Sequence, residues 1–215
     1  HDDIEDDDLC RYGDPALHSE HGIPIAVNVG DLLIGEGYRL ISQSPFSSEM
    51  RTRLAAISAQ AHQTLCIGQG EELEAAQRKC PPSLPQMLGL FRMKTSPAFA
   101  VALKFGAIAA GADDAVCRAL DVFSDALGVA YQIRDDIADF QSGEHEAESA
   151  PHLSLFSVLA WETGGDAIPC HHLHQKAGML LEHYRNEAIR SLSAFRNANL
   201  KGQLRRLLER LLETP

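Results

Sequence analysis

Six carboxylates occur at two places in the chain with the same spacing, and they are the residues best suited to carry out chemistry. Each place reads DDxxD: the first aspartate cluster is Asp2, Asp3 and Asp6, and the second is Asp135, Asp136 and Asp139. On a helix, positions i and i+4 share one face with i+1 beside them, so each pattern directs three carboxylates toward one point. Carboxylates this close repel each other by roughly 4 kcal/mol at an effective dielectric near 20. The spacing therefore predicts a bound cation at each cluster.

The donor atoms of the two clusters indicate which cation this is. Both patterns offer only oxygen and contain no His or Cys, which favours a hard ion. Mg²⁺ usually binds one or two carboxylates together with water and substrate phosphate oxygens, so two clusters could hold a diphosphate through bridging Mg²⁺ ions. The alternative is a solvated acidic helix face. That alternative suits the second cluster less well, because it lies in the otherwise apolar stretch 128–140.

Helices are the elements predicted to position these carboxylates. Apolar residues recur at helical spacing, strand signals are nearly absent, and Gly and Pro mark the ends, which predicts an all-α protein. Residues 1–8 are interpreted as the end of a helix, and 11–22 and 141–152 as loops. The predicted helices are 23–42, 47–79, a short one at 84–93, 94–111, 113–140, a short one through Trp161, and an amphipathic tail over 171–212. No repeat or linker is evident, so residues 1–215 are predicted to form one domain.

Composition limits the classes of partner. The chain has 30 acidic and 19 basic residues and a formal charge of −11, which argues against nucleic acid or an anionic membrane as the main partner. Five cysteines at no ligand-like spacing are interpreted as reduced thiols, which suits the cytoplasm. No apolar run reaches the ~18 residues of a membrane span.

The sequence around the clusters resembles a known family. HDDIED followed by R-x-G-x-P-x-x-H resembles the first aspartate-rich motif of the trans-isoprenyl diphosphate synthases (polyprenyl synthetases), and YQIRDDIADF is similar to their second. Between the two, Gly68-Gln69, Lys94-Thr95 and the Ala-rich ALKFGAIAAG occur in the family's order. The resemblance extends from residue 1 to about residue 162.

This resemblance implies a fold and an activity. The fold is an isoprenoid-synthase-type helical bundle around a central cavity, with the two aspartate motifs on facing helices, and the protein is implied to be a homodimer. The activity is Mg²⁺-dependent condensation of an allylic diphosphate with isopentenyl diphosphate, with three Mg²⁺ ions when diphosphate is bound. By the same resemblance, the amino-terminal helices of the family are expected to be missing from this chain.

The resemblance also implies roles for individual residues. Both aspartate clusters supply the metal ligands. Asp136 supports the other carboxylates and does not contact the metal directly. Arg11, Lys94 and Gln69 bind substrate, and Lys94, Thr95 and Gln132 are the catalytic residues. Three simpler interpretations stay open: Arg11 could pair with Asp7 or Asp8, Lys94 could be an ordinary cation at a helix start, and Gln69 could only satisfy a core hydrogen bond.

The chain departs from the family pattern in three places. Tyr12 stands where a second arginine is usual, Glu72 replaces an Asp after the Gly-Gln pair, and EHEAESAPHLSL contains no Lys or Arg where the family has a Gly-Lys loop. Two other functions therefore stay open. One is a terpene cyclase-like or head-to-head enzyme that ionises an allylic diphosphate, and the other is a non-catalytic partner subunit.

Overall fold

The structure, a computed structural model, describes residues 1–142, 153–164 and 169–213. Contacts between Cα atoms divide the chain into two compact units, His1–Ile57 and Ser58–Pro215. Apart from one short hairpin, the regular elements of the described residues are helical, which confirms the predicted all-α class. The prediction of a single domain stays a prediction, and the loop predicted over 141–152 lies outside the described residues from 143 onward.

The first unit contains a small hairpin that the sequence did not predict. Its elements are α1 (Asp2–Glu5), β1 (Cys10–Arg11), β2 (Asp14–Pro15), α2 (Leu17–His21), α3 (Ile23–Gln43) and the first residues of α4 (Ser48–Ala76). The strands pair antiparallel, with Arg11 opposite Asp14. Tyr12 and Gly13 between them have φ of 54° and 87°, which is the left-handed conformation that both central residues of a type I′ turn require. Residues 11–22, predicted as a loop, therefore form a hairpin and a short helix.

Helix α3 begins and ends close to where the sequence predicted. It begins directly after Gly22, whose φ is 85°, and Pro24 lies in its first turn, where the missing N–H costs nothing. Inside the first unit α3 contacts α2. The imidazole of His1 also lies against this helix, with Nε2 3.1 Å from the Val27 carbonyl oxygen. This contact ties the residue preceding the first aspartate cluster to α3.

In the second unit, α5 forms one helix where two were predicted. The unit contains the rest of α4, then α5 (Leu84–Ala109), α6 (Asp114–Ser142), α7 (Leu155–Glu162), α8 (Cys170–Ser191), a 3₁₀ turn (Leu192–Ala194) and α9 (Ala198–Leu212). A break was predicted at Lys94-Thr95, but α5 continues through it with Pro97 inside. One internal proline removes one hydrogen bond, and the buried side chains Met87, Leu90, Phe91, Ser96 and Ile108 hold the helix together on both sides of it.

The amphipathic tail predicted over 171–212 is divided into separate segments. Helix α8 ends in the 3₁₀ turn, and α9 starts anew after Asn197. The Asn197 side-chain oxygen accepts a hydrogen bond from the Leu200 N–H at 3.1 Å, which is the usual arrangement for a residue that caps a helix amino end. A cap of this kind typically contributes about 1 kcal/mol, so the sequence itself specifies a new helix start here.

Helix α6, which carries the second aspartate cluster, is the central helix of this unit. It contacts α5, α7, α8 and α9, and its apolar residues belong to two buried clusters. One is built from Met87, Leu90, Phe91, Val129, Ile133, Leu155, Phe156 and Leu173. The other is built from Leu120, Phe123, Leu127, Ala188, Leu192, Phe195, Leu204 and Leu208. Burying each large apolar side chain contributes about 1.5–3 kcal/mol, so α6 and the carboxylates on it are held firmly.

None of the described helices combines the length and apolar character needed to cross a bilayer.

Candidate active site

The first aspartate cluster has the helical geometry that its spacing predicted. Asp2 and Asp3 lie in α1, and Asp6 follows the helix with αR backbone angles. The Asp6 N–H donates to the Asp2 carbonyl at 2.9 Å, so the helical hydrogen bond from i+4 to i is present across the motif. Asp2 and Asp6 therefore lie one turn apart on the same face.

Arg11 pairs with two carboxylates of this cluster. Its Nε donates to Asp3 Oδ1 at 2.5 Å, and one of its terminal nitrogens donates to Asp2 Oδ2 at 3.2 Å. The hydrogen bond from Arg11 holds the pKa of Asp3 below its usual value. Arg11 is the last residue of β1, directly before the tight turn at Tyr12-Gly13. Arg11 thus balances part of the charge of the first aspartate cluster, and its role in binding substrate stays a prediction.

Asp135 in the second aspartate cluster also has an arginine neighbour. A terminal nitrogen of Arg134 lies 2.6 Å from Asp135 Oδ1, and the guanidinium stacks over the Tyr131 ring at 4.6 Å. Burial raises the pKa of Asp135 to about 6, although Arg134 opposes the rise. The negative charge of its carboxylate is therefore balanced only in part, which suits the carboxylate to binding a further cation.

Asp136 has a different partner from Asp135. The Leu155 N–H donates to Asp136 Oδ2 at 2.6 Å, which joins the cluster to the first turn of α7. Burial raises the pKa of Asp136 to about 7, and the Leu155 N–H only partly offsets this rise. Asp139, by contrast, is exposed on α6. Asp136 is thus placed to anchor α7.

Lys94 lies beside the second aspartate cluster, held by a carboxylate from another helix. Its Nζ donates to Glu72 Oε1 at 2.7 Å and to Oε2 at 2.6 Å, and the two side chains are 19% and 12% exposed. The positive charge of Lys94 lowers the pKa of both Asp135 and Asp136. Because α5 begins at Leu84, Lys94 lies well inside the helix, and its interpretation as a cation at a helix start is wrong.

The remaining predicted site residues lie on the same three helices of the second unit. Gln69 is on α4 beside buried Gly68, Thr95 is on α5 next to Lys94, and Gln132 is on α6 one turn before Asp136. All three side chains are half-buried.

Sequence reasoning missed two of the side-chain pairings in this unit. Glu72 was identified only as a departure from the family pattern, although its position three residues after Gln69 places it near that residue on α4. Arg134 was not paired with Asp135, although the two are adjacent in sequence.

The donor set of both clusters fits Mg²⁺. All of the donors are carboxylate oxygens, and burial of Asp135 and Asp136 leaves charge that a cation would balance. In residues 1–142, 153–164 and 169–213, no three His, Cys, Asp or Glu side chains converge as they stand into a group that could hold a metal. Arginine contacts at Asp2, Asp3 and Asp135 are one physical reason, since these carboxylates turn toward a guanidinium. A metal ion would have to compete with Arg11 and Arg134 for them.

Replacement of Asp136 by Asn is expected to stabilise the metal-free protein, by an amount that grows with pH. The raised pKa means that the folded state binds more protons than the unfolded state between pH 3.8 and about 7, so this group lowers stability as the pH rises through that window. Asn keeps the oxygen that accepts from Leu155 and removes the buried charge. Urea unfolding in EDTA at pH 4 and pH 8 should show the larger gain at pH 8, on the order of a few kcal/mol at 1.4 kcal/mol per pKa unit. A gain that is the same at both pH values would contradict the burial argument.

The sequence is similar to known proteins of one family. The polyprenyl synthetase family profile matches residues 1–149. Geranylgeranyl diphosphate synthase of Sulfolobus acidocaldarius is 31% identical over 147 residues, which are 68% of this chain and 44% of that protein. Heptaprenyl diphosphate synthase component 2 of Bacillus subtilis is 33% identical over 210 residues, which are 95% of this chain and 49% of that protein. The chain thus spans about half the length of the curated relatives it matches.

Solved structures show the same fold. The geranylgeranyl pyrophosphate synthetase from the archaeon Geoglobus acetivorans superposes with a TM-score of 0.86 at 24% identity, covering 99% of this chain and 73% of that one. The family profile covers more than half of this chain, which confirms the family resemblance. The chain belongs to the polyprenyl synthetase family.

Proposed function

We propose that the protein is a Mg²⁺-dependent prenyltransferase that condenses an allylic diphosphate with isopentenyl diphosphate to give a longer trans-isoprenyl diphosphate. The observation that carries this proposal is the position of Lys94, a cation held by Glu72 and electrostatically coupled to Asp135 and Asp136. A fixed ammonium next to carboxylates that could hold a metal is suited to binding a diphosphate. The names of the relatives, which are geranylgeranyl and heptaprenyl diphosphate synthases, support the same class of reaction.

The two aspartate clusters would hold the metal. Asp2, Asp3, Asp6, Asp135 and Asp139 would be the direct ligands, and Asp136 would support them through its bond to α7. Bound Mg²⁺, three ions by the family resemblance, would neutralise charge on the diphosphate and make it a better leaving group. Arg11 and Lys94 would bind the diphosphate oxygens directly, and Gln69 would contact substrate.

The side chains around Lys94 would assist the bond changes. The allylic carbon–oxygen bond breaks and its electron pair leaves with the diphosphate, which departs as pyrophosphate. The double bond of isopentenyl diphosphate then forms the new carbon–carbon bond, and loss of a proton restores a double bond. Thr95 and Gln132 would direct their oxygen dipoles at the positive charge that develops on the allylic carbon, which is stabilisation by fixed dipoles.

We propose that the protein works as a homodimer joined through α3. Four of its large apolar residues, Ile25, Leu32, Leu33 and Leu40, are 52%, 67%, 64% and 59% exposed, and spacing of seven or eight residues places them along one helix face. A monomer rarely exposes such a continuous apolar stripe.

Light scattering should give the mass of a dimer for the wild-type protein, and the Leu32→Glu/Leu33→Glu variant should give a monomer. Val122→Glu is the control, because Val122 is 60% exposed on another helix. A monomeric wild-type protein, or a dimer that survives both glutamates, would refute this interface.

A cytoplasmic location also belongs to the proposal. The exposed cysteines Cys10, Cys66, Cys80 and Cys170 are free thiols, which is the usual state in a reducing compartment.

Product analysis tests the proposed reaction. The protein would be incubated with Mg²⁺, labelled isopentenyl diphosphate and dimethylallyl, geranyl or farnesyl diphosphate in turn, and the dephosphorylated products would be separated by chromatography. Labelled alcohols longer than the primer are expected. A hydrocarbon formed from the allylic substrate alone would instead indicate a cyclase-like enzyme. If neither substrate were consumed, the result would favour a non-catalytic partner subunit.

A further inference from the structure

Helix α4 approaches the Lys94 backbone very closely at Gly68. A Cβ placed on Gly68 would lie 2.7 Å from the Lys94 backbone nitrogen, 2.7 Å from Met93 Cβ and 2.8 Å from the Met93 carbonyl carbon. Real side chains essentially never come this close, and two of these three atoms are backbone that cannot rotate away. Any residue larger than Gly at position 68 must push α5 away at Lys94.

Helix α6 makes an equally close approach from its own side, at Gly128. A Cβ there would lie 2.3 Å from Ser96 Oγ and 2.7 Å from the Ser96 Cα and backbone nitrogen. Ser96 is 2% exposed, and its hydroxyl donates to the Asp125 carbonyl at 3.2 Å. The residue two places after Lys94 is therefore fixed to α6 by contact and by a hydrogen bond.

The segment between these contacts is the one in which α5 supports itself least. Pro97 lies inside the helix and has no N–H, so the carbonyl of Met93 lacks its usual helical donor. The ladder of α5 is thus weakened across residues 93–97, and neighbouring helices must determine where the backbone lies. Gly68 and Gly128 are the positions where those neighbours approach it.

Backbone conformation does not explain these glycines. Among the residues that the structure describes, the glycines with positive φ are Gly13, Gly22, Gly111 and Gly164. Gly68 and Gly128 instead lie inside α4 and α6. Glycine inside a helix is less favourable than alanine, so a packing need must offset that cost. The need is close contact with residues 93–96.

We propose that Gly68 and Gly128 are positioning residues, which hold the 93–96 segment of α5 between α4 and α6 so that Lys94 and Thr95 face the allylic diphosphate. This inference rests on the proposed function and deepens it. Both glycines are buried against α5 and have no side chain to offer a substrate, so both would act through the backbone that carries Lys94 and Thr95. A displacement of about 1 Å at such a site can cost on the order of 10²-fold in rate.

The test compares Gly68→Ala with Gly70→Ala, two residues further along the same helix, where a Cβ would meet nothing within 4 Å. Gly68→Ala is expected to raise the KM for the allylic diphosphate at least tenfold and to lower kcat on the order of 10²-fold, with the KM for isopentenyl diphosphate unchanged. Gly70→Ala should leave both KM values at wild-type levels. Gly128→Ala is the second variant, in case Gly68→Ala does not fold by circular dichroism.

Crystal structures of the same variants give a readout that does not depend on turnover. Gly68→Ala should move the Lys94 backbone away from α4 and separate Lys94 from Glu72, and Gly70→Ala should leave that pair intact. The inference is overturned if Gly68→Ala keeps the Lys94–Glu72 pair, or if only the folded fraction falls while both KM values stay unchanged. A wild-type protein that elongates nothing would defeat the proposed function instead, and the Lys94–Glu72 geometry would then decide the positioning claim alone.

Discussion

Asp135→Ala is expected to reduce elongation by on the order of 10²–10³-fold, which is the usual cost of removing one group that stabilises charge in a transition state. Asp135 is the half-buried carboxylate of the second aspartate cluster whose charge is balanced only in part by Arg134. Without it, the proposed Mg²⁺ site would lose one oxygen ligand and Arg134 would lose its ion-pair partner. Steady-state kinetics with saturating Mg²⁺ would measure the change in kcat.

Asp121→Ala provides the matched control for this prediction. Asp121 lies on the same helix α6 and also pairs with a cation, Lys104, at 2.9 Å, but it is outside the cluster. Its loss should change kcat by less than about fivefold, because the residue lies outside the cluster and a partly exposed ion pair contributes only about 0.2–1 kcal/mol to stability. Equal losses in the two variants would show that ion pairs along α6 matter only for the fold.

Phe123→Ala is expected to lower the free energy of unfolding by about 3–5 kcal/mol, the usual cost of truncating a buried Phe to Ala. Phe123 is fully buried on α6, and it lies among residues from α8, α9 and the 3₁₀ turn. Truncation would leave a cavity lined by separate helices, and no single neighbouring side chain could move to fill it. Urea unfolding followed by circular dichroism would measure the change.

Val122→Ala is the control for the core substitution. Val122 is adjacent in sequence and 60% exposed, so its truncation should change stability by no more than about 0.5 kcal/mol. If Val122→Ala destabilised the protein as much as Phe123→Ala does, the assignment of the core face of α6 would be wrong.

Much of the helical layout could be predicted because its signals are local. The helices predicted over 23–42 and 113–140 correspond to α3 (Ile23–Gln43) and α6 (Asp114–Ser142). The signals that predicted them, Pro24 and the periodic apolar residues, lie within the helices themselves. The DDxxD spacing predicted the helical alignment of the carboxylates for the same reason. These features need no knowledge of tertiary contacts.

The missed features depend on contacts that sequence proximity does not reveal. Tyr12-Gly13 is an unusual pair for a type I′ turn, which favours Asn-Gly, so the hairpin that contains Arg11 gave little signal in the sequence. The break predicted before Pro97 was wrong because tertiary packing outweighs one lost hydrogen bond.

Side-chain pairing in the second unit was the least predictable part of the site. Lys94 and Glu72 are 22 residues apart and on different helices, and Asp136 accepts from a backbone N–H 19 residues further along. Periodicity assigns a residue to a helix face but does not select its partner on another helix. These pairs give Lys94 a fixed position and Asp136 a role distinct from that of Asp135.

We expect the aspartate clusters to bind a diphosphate through Mg²⁺. Isothermal titration calorimetry with inorganic pyrophosphate, in Mg²⁺ and again in EDTA, would measure this binding. We predict saturable binding in Mg²⁺, none in EDTA, and at least tenfold weaker binding in Asp135→Ala with Asp121→Ala like wild type. Pyrophosphate binding of equal strength in EDTA, or no binding in Mg²⁺, would show that the clusters do not bind diphosphate through a metal.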